Sequence, residues 1–128
     1  MAAAIAPLLI ALASFVLRLV NLGSTKGYIF DEVYYVDGAR DLLNYGVEVS
    51  GNNPEFIVHP PVGKWLIAAG IAIFGDNEFG WRFATALVGT ILILVFARLV
   101  HVLFYSPLLT GLGAALMALD GLLLVHSR

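Results

Sequence analysis

Three long apolar stretches, Ala2 to Leu22, Phe79 to Tyr105 and Pro107 to Val125, constrain what this chain can fold into. Each approaches the roughly 20 residues that a helix needs to cross the hydrocarbon core of a bilayer. The first is interrupted only by Ser14, Arg18 and Asn21. A secretory signal would place a basic region ahead of a shorter apolar core, and no Lys or Arg precedes Arg18. The stretch therefore reads as an uncleaved span rather than a signal. Composition agrees: 60% of the residues are hydrophobic and 12% are charged, where a soluble domain carries about 25% charged residues. The net charge of -2 leaves no basic patch for phosphates, which argues against a nucleic-acid partner. Without a cysteine, neither a disulfide framework nor a thiolate metal site is available.

Between the first two spans, from Gly23 to Trp81, the character changes. Eight acids (Asp31, Glu32, Asp37, Asp41, Glu48, Glu55, Asp76 and Glu78) stand against three bases, Lys26, Arg40 and Lys64. Such a loop is a poor candidate for the cytoplasmic side of a membrane. Asp31 to Tyr45 predicts a short helix, with Asp31 as N-cap, Glu32 favourable to the dipole in the first turn, and Gly46 as the stop. The turn-rich Ser50-Gly51-Asn52-Asn53-Pro54 follows. Pro60 and Pro61 open a second helix, where a missing N–H does no harm. Its apolar part, Trp65 to Phe74, is too short to cross and reads as interfacial or re-entrant, ending at Gly75-Asp76-Asn77. Phe79, Trp81 and Tyr105 sit where an aromatic belt is expected, and Arg98 and His101 lie toward the opposite, cytoplasmic end. Beyond Ala2-Ala3-Ala4 there is no low-complexity segment, and no internal repeat. The expected architecture is an all-α membrane protein with spans at about residues 2–22, 82–105 and 108–126. A long external loop, about 23–81, carries two interfacial helices. Three spans enclose little, and the sequence ends at His126-Ser127-Arg128 on a helix end, so it reads as part of a longer protein.

Three groups of residues can carry chemistry. Asp31 and Glu32 are adjacent carboxylates whose mutual repulsion favours a proton acceptor near neutrality; an N-cap and a first-turn acid are the plainer reading. His59-Pro60-Pro61-Val62-Gly63-Lys64 gathers free N–H groups and an ammonium at one helix start, a ready anion site, unless Lys64 merely snorkels. Arg18, Arg82 and Arg128 each fall near the loop-facing end of a span, where snorkelling explains one arginine and a lipid phosphate better explains three. Asp120 is an intramembrane acid without a visible partner. His101 and His126 have no metal-ligand spacing with anything, so no metal is expected.

Phe30-Asp31-Glu32-Val33-Tyr34-Tyr35, His59-Pro60-Pro61-Val62-Gly63-Lys64, Phe79-Gly80-Trp81-Arg82-Phe83 and Ser127-Arg128 resemble, in this order, motifs of the protein O-mannosyltransferases. These are membrane glycosyltransferases of the GT-C class, and the resemblance runs from Arg18 to Arg128, closest to actinobacterial members. It implies a polyprenyl-phosphate-mannose donor, a secreted or translocating protein acceptor with Ser or Thr hydroxyls, and no cofactor. Asp31 is then the general base and Glu32 its support or the positioner of the acceptor. Arg18 and Arg82 match arginines that matter for activity or assembly. His59, Lys64 and Arg128 join them as substrate-binding residues, the donor-phosphate role of Lys64 and Arg128 resting on their chemistry. One base suffices for a single inverting displacement. The resemblance also implies a multi-pass protein of the cell membrane with the active-site loop outside. Two other readings compete: a related transferase moving another sugar, such as aminoarabinose, to a lipid, and a non-enzymatic membrane subunit or channel component.

Overall fold

The computed structural model of the chain describes residues 2–50, 53–54 and 59–127. Among these residues there are six helices and one antiparallel strand pair: α1 (Ala2–Leu19), α2 (Glu32–Tyr45), β1 (Val49–Ser50), β2 (Asn53–Pro54), α3 (Pro61–Phe74), α4 (Glu78–Phe104), α5 (Pro107–Leu119) and α6 (Gly121–His126). The chain divides into two compact units, one of residues 22–84, the other of residues up to Asn21 together with Thr85 onward.

In the 22–84 unit, the two loop helices end and begin where their breakers predict. Gly46, at φ 75, closes α2 in the left-handed region and its N–H donates to the Leu42 carbonyl. Pro61 occupies the first turn of α3, and Gly75, at φ 88, ends it with its N–H on the Ile71 carbonyl at 2.8 Å. The core is Val36 and Ala39 of α2, Ile67, Ala68 and Ile71 of α3, and Trp81 at the start of α4, with Tyr35 packed against them. Val49 pairs with Pro54 and Ser50 with Asn53, antiparallel. Two glycines set how closely α3 meets α4. A Cβ on Gly70 would lie 2.3 Å from the Gly80 carbonyl oxygen, and one on Gly80 would lie 2.1 Å from that of Gly75. Here backbone lies on backbone. Asn77 fixes the corner, donating from Nδ2 to the Phe74 carbonyl at 2.9 Å and accepting from the Gly80 N–H at 3.0 Å.

The second unit packs α1, α5 and the rest of α4 through small side chains. Ala11, Ala97, Ala114 and Ala118 surround Ile93, and Gly113 lets Val100 approach. Outward, Leu8, Leu12, Val95, Leu108, Leu116 and Leu119 are all exposed. Apolar outside and small inside is the pattern of helices that face lipid. Among the described residues α4 alone is long and apolar enough to cross a membrane. At 27 residues it reaches about 40 Å, beyond the roughly 30 Å of hydrocarbon. The first apolar stretch is helical to Leu19, with Asn21 at φ 57 beyond it. Within the expected span of about 108–126 the helix is interrupted at Asp120, which is extended (φ -60, ψ 116). The Asp120 carboxylate accepts the Leu123 N–H at 2.7 Å, so the acid starts a new helix, α6. Its partner is therefore a backbone amide, supplied by the break it causes.

The close approach at Gly70 yields a stability test. Gly70→Leu is expected to destabilise the fold by about 1–3 kcal/mol, the cost of overpacking. Gly63→Ala, which meets nothing within 4 Å, should leave stability unchanged or slightly raised. Thermal unfolding of both variants in one detergent decides; equal midpoints would refute the contact.

Candidate active site

Glu78 and Arg40 meet the loop ahead of α2 at Lys26, Gly27 and Tyr28, and Arg82 takes three of its carbonyls. This guanidinium, on the first turns of α4 and only 2% exposed, grips Glu32 with both ends of its fork. Nε donates to Oε1 at 2.7 Å and Nη2 to Oε2 at 2.8 Å. Nη1 donates to the carbonyls of Leu22 (3.3 Å) and Thr25 (2.8 Å), and Nη2 to that of Gly27 (2.9 Å). The five N–H bonds of an arginine are thereby used. Glu32 also reaches back, Oε2 accepting the Ile29 N–H at 2.8 Å. The local backbone is strained at Phe30, which sits at φ 51 with its ring 90% exposed; a bulky residue in that region costs on the order of 1–3 kcal/mol.

Asp31 follows directly. It occupies the N-cap position of α2, but its carboxylate makes no capping bond, and the residue is exposed. The capping expected of the Asp31 side chain is therefore not made. Glu32 ties the helix start to the loop, and Asp31 is left facing outward.

Lys64 is not the open cation its helix-start position predicts. It is 4% exposed and forms a buried ion pair with Glu48. Gly38 makes room, since a Cβ there would lie 2.9 Å from Lys64 Cδ and 3.0 Å from Glu48 Oε2. The other Glu48 oxygen, Oε1, has no partner among the described residues. The His59 ring stacks, tilted, on Tyr35 with centroids 5.1 Å apart. Along this face of α2 runs a cleft of about 570 Å³, from Val33 and Tyr34 past Asp37 to Asp41, with Glu48, His59 and Lys64 also lining it.

Arg40 organises the same face and had no role in the sequence reading. It forks onto Asp76 (2.7 and 2.8 Å), meets Asp37 at 2.8 Å, bonds the Tyr28 hydroxyl, and lies 5.6 Å from the Trp81 ring centroid. The Asp76 carboxylate, opposed by burial and helped by Tyr28, holds the guanidinium above its ordinary range, so Arg40 is always charged. The only signal in the sequence was its place among helical positions.

In the other unit, Arg18 is fully buried. Nε donates to Ser127 Oγ at 2.7 Å and Nη1 to the Ser14 carbonyl (3.3 Å) and hydroxyl, while Nη2 has no partner among the described residues. Gly89 clears the space, for a Cβ there would lie 2.4 Å from Ser127 Cβ. Arg128 lies outside the described residues. The described His, Asp and Glu side chains form no cluster of three or more that could hold a metal.

The Arg82 fork leads to a prediction read by hydrogen exchange. Arg82→Lys keeps the charge but not the geometry. Amide exchange is expected to accelerate across residues 22–32 while that of α5 stays unchanged. Unaltered protection of residues 22–32 would remove the clamp from the account.

Residues 58–127 match the family model described as dolichyl-phosphate-mannose-protein mannosyltransferase. A polyprenol-phosphate-mannose–protein mannosyltransferase of Mycobacterium tuberculosis is 44% identical over 126 residues, covering 94% of this chain and 24% of the relative. One of the same name from Mycolicibacterium smegmatis is 40% identical, covering 98% of this chain and 25% of the relative. An undecaprenyl phosphate-alpha-4-amino-4-deoxy-L-arabinose arabinosyl transferase of Pseudomonas fluorescens is 42% identical over 71 residues, covering 54% of this chain and 13% of the relative. The chain thus spans about a quarter of the length of the mycobacterial relatives it matches. No solved structure matches it. The resemblance carried by its motifs is borne out: the chain belongs to the dolichyl-phosphate-mannose-protein mannosyltransferase family.

Proposed function

We propose that this chain carries the acid-bearing part of a membrane glycosyltransferase that moves mannose from polyprenyl-phosphate-mannose to Ser or Thr hydroxyls of a protein. The observation that carries the reading is the pairing of two adjacent acids with opposite fates. Glu32 is locked on Arg82, while Asp31, next in the chain, is exposed and makes no capping bond. A base must be reachable by its substrate and held by something else. The mycobacterial relatives supply the names of donor and acceptor class.

In the reaction, Asp31 takes the proton of the acceptor hydroxyl as its oxygen attacks the anomeric carbon. The bond from that carbon to the lipid phosphate breaks on the opposite face, and the phosphate leaves with the electron pair, inverting the centre. Arg82 acts through Glu32, keeping the loop in place. His59 and Lys64 are assigned to the donor phosphate, Lys64 by exchanging Glu48 for it. The spans are α1, α4, and α5 with α6. The loop of about 23–81 lies on the extracytoplasmic side of the cell membrane, with α2 and α3 at the interface.

A second reading, transfer of aminoarabinose to a lipid, draws support from the Pseudomonas relative. The donor separates the two.

The test is mannosyl transfer to a Ser/Thr peptide by the Mycobacterium tuberculosis relative whose aligned quarter is replaced by this chain. The chimera is expected to transfer mannose, and Asp31→Asn to reduce the rate at least about 100-fold, the lower bound for a general base. The 128 residues by themselves should transfer none. A chimera that inserts normally and keeps its rate with Asn at position 31 would sink the base assignment. One that uses only an aminoarabinose donor would favour the second reading, and one inactive with both donors the non-enzymatic subunit.

A further inference from the structure

The unit built from α1, α5, α6 and the later turns of α4 holds a groove of about 370 Å³ that plays no part in the reaction above. That volume is within the range of about 300–1,000 Å³ typical of small-ligand sites. Its walls are apolar, Pro7 and Leu8 from α1 with Leu94 and Ala97 from α4, while Arg98 and His101 line it as polar groups. Leu8 is 55% exposed and Arg98 is exposed too, so the groove opens on the outer surface of the unit.

Its polar groups are incompletely matched. The Thr110 hydroxyl donates to the Ser106 carbonyl at 2.8 Å, so its oxygen accepts from the Nδ1–H of His101 at 3.2 Å. That fixes the imidazole and leaves Nε2 for another partner. Arg98 has no ion pair among the described residues. The unit offers it almost no acid. Eight of the nine acids of the sequence fall within residues 23–81, and the ninth, Asp120, is bound to the Leu123 N–H at the far end of α5 from Thr110. Arg98 stands on a membrane-length helix in a unit whose one described carboxylate, Asp120, is engaged elsewhere, and an anion from outside the chain would answer its charge. Snorkelling to water would satisfy the charge, but it gives no reason for an apolar groove that Arg98 lines.

We infer that this groove binds an anionic phospholipid. The phosphate sits on the Arg98 guanidinium, a headgroup hydroxyl donates to His101 Nε2, and an acyl chain lies along Pro7, Leu8, Leu94 and Ala97. Arginine suits a phosphate through its planar fork, and anionic lipids draw such cations to the membrane surface. The site is independent of sugar transfer and stands or falls without it.

The experiment places the full 128-residue chain in nanodiscs containing equal phosphatidylglycerol and phosphatidylcholine, and counts the lipids retained on release by native mass spectrometry. Phosphatidylglycerol is expected to be retained in preference. Arg98→Gln should lower its retention about fivefold, the effect of one arginine near an anionic lipid surface. Arg98→Lys should keep most of it, and Leu8→Trp, which fills the groove and leaves the charge, should also lower it. Circular dichroism checks that each variant is folded, and if Arg98→Gln is not, Leu8→Trp decides. Equal retention of the two lipids by the parent chain, or undiminished retention by Leu8→Trp, would overturn the site.

Discussion

Five N–H bonds on Arg82 hold three loop carbonyls and one carboxylate in a single plane of donors. The loop from Leu22 to Phe30 has no regular structure of its own, and its carbonyls need partners if they are to leave water. Lysine, a compact point charge with three donors, cannot serve two carbonyls, a third and a bidentate acid together. Removing one partner of such a buried pair leaves the other charge uncompensated, which costs about 3–5 kcal/mol. Through Glu32 the same guanidinium fixes the first turn of α2, and through α2 it fixes where Asp31 stands. The exposure of Asp31 and the strained backbone at Phe30 are both consequences of a clamp that begins 50 residues further along the chain.

A second buried ion pair works on the other side of α2. Lys64 and Glu48 are each about 5% exposed, and such pairs gain little net stability over an apolar contact. The pair couples α3 to the segment after α2, under the one residue, Gly38, that leaves space for it. The charge of Lys64 is cancelled while Glu48 holds it, so any anion entering the cleft competes with a carboxylate already in place. Arg40, joined to Asp76 and Asp37, ties the same face to the α3–α4 corner.

The unit of α1, α5, α6 and the later turns of α4 solves a different problem. Lipid offers no hydrophobic reward for bringing helices together, so close packing and internal hydrogen bonds must do it. Alanines and glycines admit the contacts, and Arg18 supplies hydrogen bonds to Ser14 and Ser127, where Gly89 leaves room. A charged group there is tolerable because serines and a carbonyl surround it.

Periodicity and breakers alone determined the helices around the loop: Gly46, Pro61 and Gly75 act on their own backbone, and backbone rules are local. The membrane-length helix from Glu78 was equally legible, because a run of apolar residues states its own length. The motifs around Asp31, His59 and Arg82 were visible as words, and they led to the family before any geometry was known. The partner of Asp120 was not legible, since a carboxylate that caps a new helix looks the same in sequence as one that needs a distant partner. Only the tertiary structure decided which charges are used and which are left. Arg82 with Glu32, Lys64 with Glu48 and Arg40 with Asp76 pair across 50, 16 and 36 positions. Three of the five bonds Arg82 makes go to backbone carbonyls, which every residue carries and no side chain announces. Position along the chain gave Asp31 and Glu32 equal claims as neighbours; the fold separated them by giving only one of them a guanidinium.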